Sequence, residues 1–316
     1  MENNEQETIT YVDTTSVFCD GGRGDPGHPG VYLNIGEQPK IVCPYCSQIF
    51  ALAVDSSDEM NGGSEHWLPQ SKSINHLYLI DGSGFIFRAF YGIKAQMTRL
   101  DGTPTNAVYG YTQMLLKIVE DTDADYLAVI FDRARKTFRN EIFSEYKSHR
   151  PPPPDDLIPQ FDIVREATHA MNISAVDMDG YEADDLIATY ARQAADRGAN
   201  VTVVSTDKDL MQIVGGKIKM FDAMKNIEIG PSQVREKFGV GPDKVIDVQA
   251  LAGDSSDNVP GVSGIGIKTA AQLIEEFGDL DGVLKHAEDI KQPKRRQALI
   301  EQADLARISR ELVTLR

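Results

Sequence analysis

The chain has 316 residues, 41% of them hydrophobic, and carries 48 acidic against 32 basic side chains for a net charge of −16. That much apolar material excludes a disordered or collagen-like chain, and no apolar run approaches the roughly 18 to 20 residues that cross a bilayer. Residues 1–10 are acidic and polar, without the basic and apolar stretches of a secretion signal, so the expectation is a cytoplasmic chain with no membrane contact.

Residues 11–54 hold short apolar pieces at 31–35, 40–42 and 49–54 between Gly- and Pro-rich turns, which predicts a small β-rich module over residues 1–54. Its Cys19, His28, Cys43 and Cys46 are spaced C-x8-H-x14-C-x2-C. A lone C-x-x-C suits a redox pair as well as a metal site. Three thiolates and one imidazole together suit a closed, tetrahedral structural Zn2+ site, and a module this small needs such a staple to fold. Four closed ligands leave no open position for catalysis. Residues 55–73, with Asp55-Ser56-Ser57-Asp58-Glu59 and Asn61-Gly62-Gly63-Ser64, read as a flexible linker.

From residue 74 the texture changes. An apolar run at 77–81 ends in an acid. The helix at 106–119 has Ala107, Tyr111, Met114, Leu115 and Ile118 on one face. A second strand follows at 126–132, then helices at 157–171 and 182–197 and a third strand at 201–207. Strands alternating with helices predict an α/β fold with a mainly parallel sheet over residues 74–246, followed by a helical region over 247–316. Pro151 to Pro154 cannot continue a helix, so the basic stretch before them should be an exposed excursion from the sheet.

Asp81, Asp132 and Asp207 each fall at the carboxyl end of a predicted parallel strand, the edge where open α/β sheets bind ligands. Glu182, Asp184 and Asp185 open a helix, where simple capping is the plain alternative. Asp209, Asp254 and Asp257 complete a set of nine. Nine carboxylates in one cleft raise one another's pKa unless cations compensate, and hard divalent ions with oxygen ligands, Mg2+ or Mn2+, do so. Two such ions activate a water and stabilise the leaving oxygen of a phosphodiester. Without the nine acids, residues 71–316 carry 28 acidic and 30 basic side chains, so net acidity does not argue against a nucleic-acid substrate.

The motifs Leu79-Ile80-Asp81-Gly82, Phe131-Asp132 with Thr137-Phe138-Arg139, residues 181–185, residues 205–209 and residues 253–258 resemble the 5′-nuclease domain of bacterial DNA polymerase I, in the flap endonuclease family. The likeness covers residues 74–316. It implies a PIN-like 5′-nuclease core with a helical arch and a helix-three-turn-helix region. By position, Asp81, Asp132, Glu182 and Asp184 would serve a first metal, and Asp185, Asp207, Asp209, Asp254 and Asp257 a second. Arg133, Arg135, Lys136, Arg139, Lys147 and Arg150 form a basic run that is either a solvated face or a phosphate clamp. The resemblance implies the clamp: Tyr146 stacks on a base, Lys147 and Arg150 meet the phosphate, Arg139 contacts DNA, and Arg88 is the active-site arginine of the first helix.

Residues 261–270, with Gly264, Gly266 and Lys268, form a Gly-rich turn opening a helix, either a plain helical corner or a phosphate site. The family's version grips the duplex backbone and holds K+ through carbonyl oxygens; Ser263 replaces its usual proline. Residues 13–54 likewise resemble the CHCC zinc-finger family. The expectation is a monomeric bacterial enzyme that cleaves DNA 5′ flaps and 5′ ends, removes RNA primers on DNA, lacks polymerase activity of its own and works beside a separate DNA polymerase. A non-catalytic DNA-structure-binding protein and an RNA-processing nuclease are the rivals. The first predicts lost carboxylates, and the second has no need of the Gly-rich grip.

Overall fold

The computed structural model describes residues 9–12, 16–19, 31–36, 40–43, 47–52, 75–122 and 124–316. Two units divide the chain, Met1–Ser71 and Lys72–Arg316. In the first, β1 (Ile9–Val12), β2 (Ser16–Cys19), β3 (Val31–Asn34), β4 (Lys40–Val42) and β5 (Ile49–Leu52) are short. β5 pairs with β1 in parallel and with β4 antiparallel, while β2 and β3 form a hairpin-like antiparallel pair. Val17, Cys19, Leu33, Ile35, Cys43 and Phe50 make its small core. The expected β module is there, with β3, β4 and β5 on the three predicted apolar pieces; β1 and β2 are strands that the sequence reading did not name. His28, Cys46 and the linker at 55–73 lie outside the described residues.

The second unit runs β6 (His76–Asp81), α1 (Gly82–Gly92), α2 (Asn106–Asp121), β7 (Tyr126–Ile130), α3 (Phe138–Ile142), α4 (Gln160–Ala170), β8 (Ser174–Val176), α5 (Ala183–Asp196), β9 (Asn200–Val204), β10 (Ile218–Asp222) and β11 (Ile227–Ile229). Helices α6 (Pro231–Phe238), α7 (Val245–Ala252), α8 (Ile267–Phe277), α9 (Leu280–Lys285), α10 (Pro293–Glu301) and α11 (Ala303–Val313) follow. The sheet order is β11-β10-β9-β6-β7-β8. Every pairing is parallel except β10 with β11.

A central parallel strand is covered on both faces, so β6 reads as a continuous apolar run rather than an alternating one. The pleat sends Leu79 to one face, against Ile187, Ala188 and Ala191 of α5, and Ile80 to the other, against Phe85 and Ile86 of α1 and Tyr111 and Leu115 of α2. This is the mainly parallel α/β core that the strand and helix alternation predicts.

The segment between β7 and α4 departs from the expected helical arch. Its one α-helix is α3, five residues long, followed by turns and the proline run. Lys147 adopts a left-handed backbone, φ 53°, which a continuing right-handed helix cannot contain. Nor is the whole segment an exposed excursion: Tyr146 is buried against Val259, Leu312 and Val313.

Candidate active site

The chain passes from β6 outward through β7 and β8, then crosses to the other side of β6 to form β9 and β10. The carboxyl ends of β6 and β9 therefore flank a topological switch point, where an open sheet leaves a crevice. Asp81 is the last residue of β6 and caps α1 by accepting the Gly84 N–H at 3.0 Å. Its other oxygen accepts the Ser205 hydroxyl at 3.0 Å. Asp132 lies just past β7, where its carboxylate accepts the Ala183 N–H at 2.8 Å, at the positive end of α5.

Burial, then the neighbouring charges of Asp132 and Asp207, push the Asp81 carboxyl up to about 6. Burial, followed by Asp207, Asp81 and Asp132, raises Asp184 well above the usual carboxylate range. Asp81, Asp132, Asp184 and Asp207 thus form one electrostatic group, and among the described residues none of them has a Lys or Arg within salt-bridge distance. Crowded acids without cations fit a hard divalent ion.

Asp209, Asp254 and Asp257 form a second group, with one carboxylate oxygen from each lying within 4.8 Å of the others. Two glycines build the loop that holds the latter pair. Gly253 and Gly261 have φ of 68° and 58°, and a Cβ on Gly261 would come within 2.4 Å of the Gly253 nitrogen, so the two ends of the loop touch only because both lack side chains. Asp254 accepts Lys208 Nζ at 2.7 Å and the Ser256 N–H and hydroxyl at 2.8 and 2.6 Å. Burial works against its charge, but these donors outweigh it and hold Asp254 below the usual range. Asp209 behaves oppositely: burial, then the Asp207 charge, pushes it up to about 7 despite a 2.5 Å hydrogen bond from Gln249.

The basic run reaches the second group and Glu182, the residue before α5. Lys147 Nζ sits 2.9 Å from Glu182 and 3.4 Å from Asp257. Burial disfavours its charge, yet Glu182 and Asp257 outweigh that cost and raise its pKa. Arg150 pairs with Asp257 and donates to the Ser256 carbonyl at 3.3 Å.

Three expectations are corrected here. Asp185 is 1% exposed, and both its oxygens are taken by Arg139 at 2.7 and 2.8 Å and by the backbone N–H groups of Glu182 and Arg316 at 3.1 Å. It is a structural counter-ion rather than a metal ligand. Arg139, 1% exposed, spends its remaining donors on the carbonyls of Leu312 and Thr314, so it ties α3 to the end of α11 and does not reach DNA. Tyr146 is 4% exposed, its ring packed under the loop and its hydroxyl donating to Glu182 at 3.1 Å, which leaves no face for a base.

Arg88 projects from α1 into a depression it shares with Asp81, Ser205, Thr206 and Phe221. The Gly-rich turn joins α7 to α8: Gly264 is left-handed, φ 78°, and opens to solvent, Gly266 caps α8, and Lys268 is exposed in the first turn. The turn is anchored by Gln302 accepting the Ser263 N–H at 2.8 Å and Ser309 accepting the Gly261 N–H at 2.9 Å. Sequence reasoning missed Lys208, Ser205 and Gln249. Lys208, between Asp207 and Asp209, was the most findable, because a lone cation inside an acidic motif has few other uses.

Residues 76–239 match the family described as 5′-3′ exonuclease, N-terminal resolvase-like domain, residues 240–316 the 5′-3′ exonuclease C-terminal SAM fold, and residues 14–50 the CHCC zinc-finger domain. A DNA polymerase I from Rhizobium leguminosarum is 54% identical over 252 residues, 78% of this chain and 25% of that protein. A 5′-3′ exonuclease from Aquifex aeolicus is 39% identical over 212 residues, 67% of this chain and 73% of that one. The chain spans about a quarter of the length of the polymerases it matches. Among solved structures, T5 5′-exonuclease with divalent metal ions (zinc) bound shares the fold at a TM-score of 0.66 and 24% identity, over 76% of this chain and 90% of that one. Two adjoining family domains, filling the α/β sheet and the helical region after it, place the chain in the 5′-3′ exonuclease family.

Proposed function

We propose that this chain is a divalent-metal-dependent 5′-3′ exonuclease and 5′-flap endonuclease acting on DNA, RNA primers included. The observation that carries the reading is the convergence at one sheet edge of four acids without an ion-pair partner among the described residues and a second group of three, with Lys147 reaching from Glu182 to Asp257. Asp81, Asp132 and Asp184, with Glu182 beside them, would hold one Mg2+ or Mn2+. Asp209, Asp254 and Asp257 would hold another, and Asp207, which perturbs Asp81, Asp184 and Asp209 alike, lies between the sets. When bound, such ions activate water and stabilise the leaving oxygen of a phosphodiester.

The chain's own residues supply the rest. Lys147, held charged by Glu182 and Asp257, and Arg150, paired with Asp257, meet the phosphate oxygens as negative charge grows on them. Arg88 offers a further cation on the Asp81 side. Gly264, Gly266 and Lys268 present backbone amides and a charge to the duplex backbone, and the carbonyls of that turn would take a K+. In the N-terminal module, Cys19 and Cys43 are buried in one small core, 2% and 1% exposed. With His28 and Cys46 they would complete a Zn2+ site that staples the fold. The enzyme would act as a monomer in the bacterial cytoplasm, with a DNA polymerase filling the gaps it opens.

The test is product mapping on a 5′-labelled flap duplex. Mg2+-dependent cuts near the flap junction, abolished by chelator, support the reading; tight flap binding without any product would sink it.

A further inference from the structure

Gln249, on α7, is 2% exposed, and its amide is only half satisfied. Nε2 donates to Asp209 Oδ1 at 2.5 Å, while Oε1 has no hydrogen-bond partner. With Asp209 ionised, as a metal ligand is, the carboxylate only accepts, so the N–H side of the amide faces it and Oε1 is left to find another donor. Both atoms share one carbon, which keeps the orphaned oxygen beside Asp209, one of the three acids of the second group. A buried acceptor without a donor is costly, and folded proteins rarely leave one unless something absent from the protein itself supplies the donor.

We infer that Gln249 is a positioning residue for the second divalent ion: Oε1 accepts a hydrogen bond from the ion's hydration shell while Nε2 fixes the Asp209 carboxylate. The inference rests on the metal reading of Asp209, Asp254 and Asp257. A hard cation such as Mg2+ keeps several waters even when carboxylates bind it, and each water carries the O–H that Oε1 lacks. Outer partners of this kind orient the ligands, and their loss costs roughly 10 to 100-fold in metal affinity. The side chain therefore does two things at once: it holds a carboxylate and it reads a hydrated ion.

The experiment is a Mn2+ titration of the full chain followed by electron paramagnetic resonance, with thermal melting in chelator confirming that each variant is folded. Asp254→Asn identifies the Mn2+ population belonging to the second group. Gln249→Met, which conserves length and volume but has neither donor nor acceptor, should weaken that population by about tenfold. Gln249→Glu loses the donor but keeps an acceptor, and should bind Mn2+ at least as tightly as the wild type.

Wild-type affinity in Gln249→Met would overturn the inference, showing that the orphaned oxygen serves only a buried structural water. Equal weakening in the Met and Glu variants would also overturn it, because the donor to Asp209 would then explain everything. If Asp254→Asn leaves Mn2+ binding untouched, the metal reading itself fails and takes this inference with it.

Discussion

Asp81, Asp132, Asp184 and Asp207 have no Lys or Arg at salt-bridge distance among the described residues, whereas in the second group Asp254 pairs with Lys208 and Asp257 with both Lys147 and Arg150. Both sets gather at one sheet edge, yet their electrostatics differ in kind. In the first, burial and mutual repulsion drive protons on, raising Asp81 and Asp184. In the second, built-in cations hold Asp254 ionised and share Asp257, and Asp209, next to Asp207, is the member that is raised. The first set is poised to gain most from added metal, and the second balances its charge until metal or phosphate arrives.

The largest effect should follow from breaking the first set. Asp184→Asn should slow cleavage by at least about 10² to 10³-fold, on the scale of losing a key electrostatic stabiliser, while raising the melting temperature of the metal-free protein by a few degrees. A cleavage rate near wild type would remove Asp184 from the centre. The same crowding gives a pH signature. A carboxyl whose folded pKa lies above its unfolded value binds more protons in the folded state, so metal-free stability falls as pH rises from the ordinary carboxylate range through about 6 for Asp81 and about 7 for Asp209. Mg2+ should therefore raise the melting temperature clearly at pH 7.5 and little at pH 5; equal increments at both would contradict the account.

Next in size is the link between the sets. Lys147→Ala leaves Glu182 and Asp257 without their shared cation, and should slow cleavage by roughly 10²-fold and destabilise the fold by about 1 to 3 kcal/mol, read by single-turnover kinetics and denaturant melts. A wild-type rate would reduce the basic run to a solvated face.

Arg139→Met sharpens the contrast from another side. It breaks a fully buried pair, so it should cost about 3 to 5 kcal/mol. At a temperature where the variant remains folded, its DNA affinity should match the wild type, and a selective loss of binding would return Arg139 to the DNA. The smallest effect belongs to Lys208→Met, which frees Asp254 from a partly exposed partner. The Mg2+ concentration for half-maximal cleavage should fall by about two- to fivefold, the equivalent of a pair worth 0.4 to 1 kcal/mol; a rise would show that Lys208 helps metal binding.

Much of this was legible before any coordinates. Acids at the ends of apolar runs located Asp81, Asp132 and Asp207, because a parallel strand's apolar run and its first polar residue are both written locally. Lys147 and Arg150 were picked out by the family resemblance, since the basic run by itself reads equally well as a solvated face. What stayed hidden depends on distant partners. Arg139 reads as one more surface cation until the carbonyls of Leu312 and Thr314, over 170 residues away in sequence, close around it. Asp185 had a local clue that went unread: it follows Asp184 in a helix, and neighbours there point about 100° apart, so both seldom face one site. Gln249 had none, since a glutamine in an apolar helix declares itself only when its amide is found half satisfied. Strands β8 and β11, three residues each, were too short to show any period.

The measurement closest to the centre of the account compares wild type with Asp207→Asn on a 5′-labelled flap duplex in Mg2+, following binding and cleavage separately. Asp207 perturbs acids of both sets, so the account predicts flap affinity within a few-fold of wild type and no detectable cleavage. Cleavage at the wild-type rate would contradict a metal centre spanning the two groups of acids.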